Sequence, residues 1–243
     1  MSKHKGAIII TGASRGIGLS LVNHYLTAGF PVLAVARSTK TMQPQEDLTI
    51  FDADLSRREG IDRLAAQVAR LGFTVAVLIN NAGIQNAISF TGPDVNSEAI
   101  SNQIRDEIAL NLTAPILLTQ SILPFMLRPG GTIVNVTSLV SRQPKPSAPV
   151  YSATKAGLAS FTQSLRVQLR SEGIHLVEAV PPLVDTGMTA GRGSGKISPE
   201  TMADAIFESV RNSKKTAAPG LSRRVLLMNR VLPELVSRIM ARS

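Results

Sequence analysis

The chain has no cysteine and no tryptophan, and aromatic residues fill only 4% of its 243 positions. Without cysteine neither a disulfide framework nor a thiolate metal centre can form, which fits a reducing compartment. The three histidines, His4, His24 and His175, are scattered and lack the spacing of metal ligands, so no metal site is expected. The net charge of +9 invites a nucleic-acid reading, but the chain offers few rings for stacking bases. The charge is also uneven. From Arg211 onward eight basic residues face Glu234 alone, which puts +7 in the tail and leaves +2 for the body. No uninterrupted apolar stretch is long enough to span a bilayer, and the apolar run after Lys5 is too short for a secretory signal. A cytoplasmic location without nucleic acid is the expectation.

What is present describes an ordinary globular chain: 44% hydrophobic and 18% charged residues. The length suits a single α/β domain over 1–243, and no repeat or linker divides it. Its organising stretch is Thr11-Gly12-Ala13-Ser14-Arg15-Gly16-Ile17-Gly18. The apolar run Ala7–Ile10 before it reads as a buried strand, and helically spaced apolar residues follow, up to Gly29. Strand, glycine turn and helix form the context in which free N–H groups and a helix dipole hold a pyrophosphate. A turn that is glycine-rich for steric reasons alone is the plainer alternative.

Further βα units follow. Residues 31–36 read as a second strand ending at Arg37 and Ser38, where a dinucleotide fold reads the adenosine ribose. An acid there would accept from a free 2′-OH. Arg37 and Ser38, with Arg15 in the glycine turn, suit a 2′-phosphate instead, so NADP(H) is favoured over NAD. The alternative is two solvated loop arginines. Residues 49–55 read as a strand ending in acid, 56–71 as a helix stopped by Gly72, and 74–79 as a strand running into Asn80-Asn81-Ala82-Gly83. A long helical pattern covers 98–127. Pro115 cannot donate to the carbonyl of Asn111, which predicts a kink and a water site there, or a break near Thr113. Residues 131–138 form a strand with Ser138 at its carboxyl end. A helix from Tyr151 to about Glu172 then carries Tyr151 and Lys155 on one face, four apart. After a strand at 175–180 and Pro181-Pro182, the glycine-rich stretch 187–200 is a candidate substrate lid. Ser198-Pro199-Glu200 opens a helix to about Arg211.

The ordered set of Gly12–Gly18, Asp54, Asn80–Gly83, Asn111, Ser138, Tyr151 and Lys155 resembles the short-chain dehydrogenase/reductase family over roughly residues 6–210. The resemblance implies a Rossmann-like, doubly wound, mostly parallel α/β sheet with helices on both faces, and an oxidoreductase moving hydride between NADP(H) and a carbonyl or secondary alcohol. Carried over, Tyr151 is the general acid or base, Lys155 favours its phenolate and bonds the nicotinamide ribose, Ser138 holds the substrate oxygen, and Asn111 holds a relay water. The implied cofactor set is Gly12, Ser14, Arg15, Gly16, Ile17, Gly18, Arg37, Ser38, Asp54, Leu55, Asn81, Ala82, Gly83, Tyr151, Lys155, Pro181, Val184 and Thr186. The resemblance also implies a homodimer or homotetramer built on the helices around Asn111 and Tyr151.

Two departures stand out. Pro181-Pro182 replaces the family's usual Pro-Gly, and the usual last strand and glycine pair give way to a basic amphipathic tail over 221–243. Both features look like the branch of oxidoreductases named after the D-alanine transfer operon. In the tail, Leu232, Leu235, Val236, Ile239 and Met240 share a helical stripe, expected to pack on the body or another subunit. Contact with an anionic membrane surface is the runner-up. A non-catalytic NADP(H)-sensing or scaffold protein on the same fold is the alternative function.

Overall fold

The computed structural model describes residues 6–93, 95–191 and 193–231. The apolar stripe from Leu232 onward, and His4, lie outside the described residues. Seven strands form one sheet: β1 (Ala7–Thr11), β2 (Val32–Ala36), β3 (Leu48–Asp52), β4 (Val75–Asn80), β5 (Thr132–Val136), β6 (His175–Ala179) and β7 (Thr216–Ala217). Their order is β3-β2-β1-β4-β5-β6-β7, every pair parallel. The doubly wound sheet expected from the sequence is the one observed; β7 was not expected. Strands β1 and β2 are buried along their whole length, because helices cover both faces and continuous apolar runs are the only sequences such strands tolerate.

Alternation sorts the strand residues into two cores. Ile9, Leu33, Leu78, Ile133 and Leu176 point to one face, against helices α2 (Arg58–Leu71), α4 (Ala114–Ile122) and α5 (Pro149–Gln168). Ile8, Ile10, Val77, Ile79, Val134 and Val177 point to the other, against α1 (Gly16–Thr27) and α6 (Pro199–Arg211). Ser198 caps α6 by accepting from the Thr201 N–H, with Pro199 in the first turn, as the sequence predicts. Helix α7 (Leu221–Val231) begins the basic tail.

Several boundaries move. The third strand stops at Asp52, so Asp54 and Leu55 sit in the connection to α2, which starts at Arg58. The fifth strand stops at Val136, leaving Ser138 two residues beyond it. Helix α5 starts at Pro149 and stops at Gln168, which puts Tyr151 in its first turn. Because α6 begins at Pro199, the lid stretch ends at Ser198 rather than 200.

The long helix is interrupted at Asn111, as Pro115 predicts, and the interruption takes the form of a wider turn: α3 (Glu98–Ile108) passes into a π-turn (Ala109–Thr113), then α4, then a 3-10 turn (Leu123–Phe125). The Ala114 N–H reaches back five residues to the Ala109 carbonyl. This wider turn sits immediately before Pro115, whose missing N–H already interrupts the α-pattern. By length and composition alone, Glu98–Phe125 is long and apolar enough to cross a membrane. Leu110, Ala114, Leu118 and Ile122 are spent instead on the core.

Buried amides tie the layers together. The Asn80 amide donates to Asn135 Oδ1 at 2.8 Å and to Thr119, the Asn135 amide donates to Thr162 at 2.9 Å, and the Thr162 hydroxyl donates to the Leu158 carbonyl. Asn135→Ala strips partners from two buried polar side chains at once. It is expected to cost about 2–3 kcal/mol in urea unfolding, with nicotinamide cofactor affinity unchanged. The glycine turn is constrained more sharply. A Cβ on Gly18 would stand 2.1 Å from the Gly12 carbonyl oxygen, a backbone atom that cannot rotate away. Gly18→Ala is therefore expected to lose about 1–3 kcal/mol of stability in urea unfolding.

Candidate active site

In a sheet of this order the chain leaves β1 toward β2 and β3, then returns past β1 to β4, so a crevice opens at the carboxyl ends of β1 and β4. Several of the expected residues gather along this edge because they follow closely on a strand. Gly12 follows β1, Arg37 follows β2, Asn81 follows β4, and Asp54, Ser138 and Pro181 each lie two residues past theirs.

At the crevice the Thr11 hydroxyl donates to the Ile79 carbonyl and accepts from the N–H groups of Asn81 and Ala82, both at 3.0 Å. The Asn81 amide donates back to the carbonyls of Thr11 at 2.9 Å and Gly12 at 3.3 Å. Asn81 thus stitches the two loops across the switch point. Gly12 has φ +66°, and a Cβ there would press on Ala82 at 2.9 Å. Gly16, with φ +55°, starts α1 with Thr186 close by: a Cβ would lie 3.0 Å from its methyl group. The turn is a cradle kept open by missing side chains, at the positive end of a helix. Ser14 and Ile17 are half-buried in it, and Arg15, at the N-cap position, is exposed.

Arg37 and Ser38 are exposed at the end of β2. Burial works to raise the Asp54 carboxyl. Hydrogen bonds from the Ser56 hydroxyl at 2.6 Å and N–H at 3.0 Å, with the charges of Arg37 and Arg57, outweigh it and hold the group below the usual carboxylate range. Leu55 and Val184 are 4% exposed and belong to the two cores, so only their backbones can face a ligand. Pro181 and Thr186 are half-buried above β6.

Across the crevice, Tyr151 is half-buried and Lys155 is 4% exposed. Lys155 Nζ donates to the Val136 carbonyl at 2.8 Å and lies 5.6 Å from the Tyr151 ring centroid, so both groups share one compartment. Burial pulls the Lys155 ammonium down to about 8, with Glu107 opposing the change. The Asn111 side chain grips the backbone of Ile84: Oδ1 accepts from its N–H at 2.9 Å and Nδ2 donates to its carbonyl at 2.8 Å. Gly83 fits between Asn111 and Lys155. A Cβ there would be 3.1 Å from Asn111 Oδ1 and 3.6 Å from Lys155 Nζ. Ser138 caps the short turn Leu139–Ser141.

The sequence reading missed two groups here. The first is the buried Glu107, four residues before Asn111, whose helical spacing was the available signal. The second is Arg142, whose guanidinium donates to both oxygens of buried Glu178 at 2.9 and 2.7 Å. Thr137 also donates to Glu178, so the loop beyond Ser138 is anchored to β6. Nothing in the local sequence pairs residues so far apart. The stretch after Thr186 is anchored as well, by Lys196 on Asp185 at 3.2 Å and on the Thr189 carbonyl at 2.8 Å. A cavity of about 940 Å³ opens at the opposite, amino edge of the sheet, among Arg166, Phe207 and Lys215, and includes none of the expected site residues.

The short chain dehydrogenase family model matches residues 6–196. The chain is 35% identical over 193 residues to the uncharacterized oxidoreductase DltE of Bacillus subtilis, covering 77% of this chain and 75% of that protein. In structure it resembles a short chain dehydrogenase from Burkholderia cenocepacia in complex with NADP, with a TM-score of 0.85, 21% identity and 99% of both chains covered. It also resembles 4-hydroxyisoleucine dehydrogenase complexed with NADH, with a TM-score of 0.75, 21% identity and 88% and 95% of the two chains covered. The glycine cradle, the Asn81 stitch and the paired Tyr151 and Lys155 thus sit within a wider likeness, and the chain belongs to the short chain dehydrogenase family of oxidoreductases.

Proposed function

We propose that this chain is an NADP(H)-dependent oxidoreductase that reduces a ketone or aldehyde, or oxidises the corresponding secondary alcohol, with Tyr151 as general acid or base. The observation that carries the reading is the buried Lys155 ammonium held beside the Tyr151 ring, at the carboxyl edge of the sheet. When bound, the nicotinamide supplies or accepts the hydride. Tyr151 gives its phenolic proton to the carbonyl oxygen in reduction and takes it from the alcohol in oxidation. The Lys155 charge stabilises the phenolate left behind, most effectively because so little water screens it. Ser138, which precedes Tyr151 in the family motif, holds the substrate oxygen in this reading. Asn111 keeps Ile84 and Gly83 packed over Lys155 and so holds the ammonium in place.

The cradle of Gly12, Gly16 and Gly18 leaves room for a pyrophosphate, and Thr186 stands where α1 begins. Exposed Arg37, and Arg15 at the head of α1, supply cations for a 2′-phosphate, which is the basis for preferring NADP(H). The reading includes a cytoplasmic homodimer or homotetramer.

Tyr151→Phe removes one oxygen and leaves the ring that packs beside Lys155. With NADPH and a panel of ketones and aldehydes, kcat is expected to fall by about 10²–10⁴, while the NADPH dissociation constant changes little. Tight NADPH binding by the wild type with no turnover of any carbonyl would instead favour the sensor reading. Arg37→Asp replaces a charge-assisted phosphate contact, worth about 1.5–3 kcal/mol, with repulsion. The NADPH/NADH ratio of kcat/KM is expected to drop at least about tenfold, and an unchanged ratio would move the phosphate site elsewhere.

A further inference from the structure

The cavity of about 940 Å³ at the amino edge of the sheet lies at the far end of the strands from the crevice. That volume falls within the range of small-molecule sites, about 300–1,000 Å³. Its walls come from two sets of residues. Tyr25 near the end of α1, Phe30 two residues before β2, and Phe207 of α6 form an apolar side. The Tyr25 ring meets Phe30 and Phe207 edge-on, with centroids 5.8 and 5.1 Å apart. The second set is basic: Arg166 of α5, Arg170 just past that helix, Arg211 at the end of α6, and Lys215 immediately before β7. No aspartate or glutamate stands among the described residues that line the cavity.

Helix ends favour cations, and that accounts for two of these four. Arg166 and Arg211 stand in the last turns of α5 and α6, and Arg211 also pairs with Glu208 at 3.3 Å. Arg170 and Lys215 differ. Both are exposed and outside the helices, and neither side chain has a hydrogen-bond or ion-pair partner among the described residues. Arg166 is fixed beside Lys215, because its guanidinium donates to the carbonyls of Leu176 at 3.3 Å and of Lys215 at 3.1 Å. Tyr25 adds an independent observation. It is 2% exposed, and its hydroxyl has no hydrogen-bond partner among the described residues. Buried phenols normally find a partner, since an unsatisfied donor keeps its desolvation cost. Burial pushes the Tyr25 phenol far above its ordinary range, so the proton stays and the group remains a donor.

We propose that this cavity is a second small-molecule site, which takes an organic anion with a flat apolar body and an oxyanion head, carboxylate or phosphate. The body lies against Tyr25, Phe30 and Phe207, where ring faces and edges are available for stacking. The head meets the unpaired cations of Arg170 and Lys215, with Arg166 held in place beside them and the Tyr25 hydroxyl as a neutral donor. An uncharged ligand would leave the cations without a partner, and a bare inorganic anion would leave the rings uncovered. The site does not depend on the reaction assigned to Tyr151, because none of its residues belongs to the crevice.

The chain has two tyrosines, and Tyr25 and Tyr151 stand one at each site. In the full-length protein carrying ring-¹³C-labelled tyrosine, their signals therefore report the two sites separately, and Tyr151→Phe assigns them. With NADPH present, 2-naphthoate and 2-naphthyl phosphate are titrated as probes. The better of the two is expected to shift the Tyr25 signal saturably with a Kd below about 1 mM, and whichever binds tighter names the head. 2-Naphthylmethanol keeps the rings without the charge and is expected to bind at least about tenfold more weakly. Arg170→Glu combined with Lys215→Glu reverses two exposed, unpaired charges. It is expected to weaken the anions at least about tenfold and to leave the alcohol unchanged. A Tyr25 signal that neither anion moves overturns the proposal. So does equal binding of anion and alcohol, or an anion affinity untouched by the charge reversals. Should the double variant fail to fold, the comparison of anion with alcohol on the wild type decides.

Discussion

An ammonium group held almost entirely out of water is the constraint around which this molecule is arranged. Lys155 is 4% exposed, on a helix packed against the middle of the sheet. A charge in that place is tolerated only if carbonyl oxygens, amides and an opposite charge replace its hydration. The Val136 carbonyl at the end of β5 is one replacement, which requires α5 to cross that strand end at one height. Gly83 keeps the approach between the loop and Asn111 open, since a Cβ there would lie 3.1 Å from Asn111 Oδ1. Asn111 must reach Ile84, which requires its helix to turn the amide toward the loop. The π-turn at Ala109–Thr113 lies where that requirement meets Pro115.

The rest of the crevice obeys a second economy: backbone groups, not side chains, build its walls. Thr11 and Asn81 spend their hydrogen bonds on main-chain atoms of the neighbouring loop, and three glycines keep side chains out of the turn. This fixes the gap between β1 and β4 without filling it. The pull of burial on Lys155 and the low dielectric around it are two results of one arrangement. A charge that is costly to bury acts strongly on a neighbouring phenol. The buried amide network of Asn80, Asn135 and Thr162 holds the two central strands and their helices in register, so that this neighbourhood does not drift.

Solved structures of the same fold hold NADP in one case and NADH in another. In the proposed reading the choice between them falls to Arg37, Ser38 and Arg15, which are exposed and which the core does not require. Asp54 complicates that surface. Its carboxyl, in the loop after β3, is held low by the Ser56 hydrogen bonds and by the charges of Arg37 and Arg57. The loop after Ser138 is anchored by Arg142 on Glu178, and the stretch after Thr186 by Lys196 on Asp185.

The amino-acid sequence alone determined whatever depends on near neighbours. Continuous apolar runs marked β1 and β2, the Ser198-Pro199 cap marked the start of α6, the glycine turn marked the head of α1, and a four-residue spacing put Tyr151 and Lys155 on one face. Each of these signals spans a single turn or strand, and the doubly wound sheet was implied by the family resemblance that their order carries. Only the tertiary structure decided what faces what across the layers. It made Leu55 and Val184 core residues, widened the helix at Ala109–Thr113, added β7, and brought Arg142 to Glu178. Those two partners lie 36 residues apart in the chain, so their pairing depends on strand order rather than on local pattern. Burial and opposite charge act through space, and the sheet sets the distances.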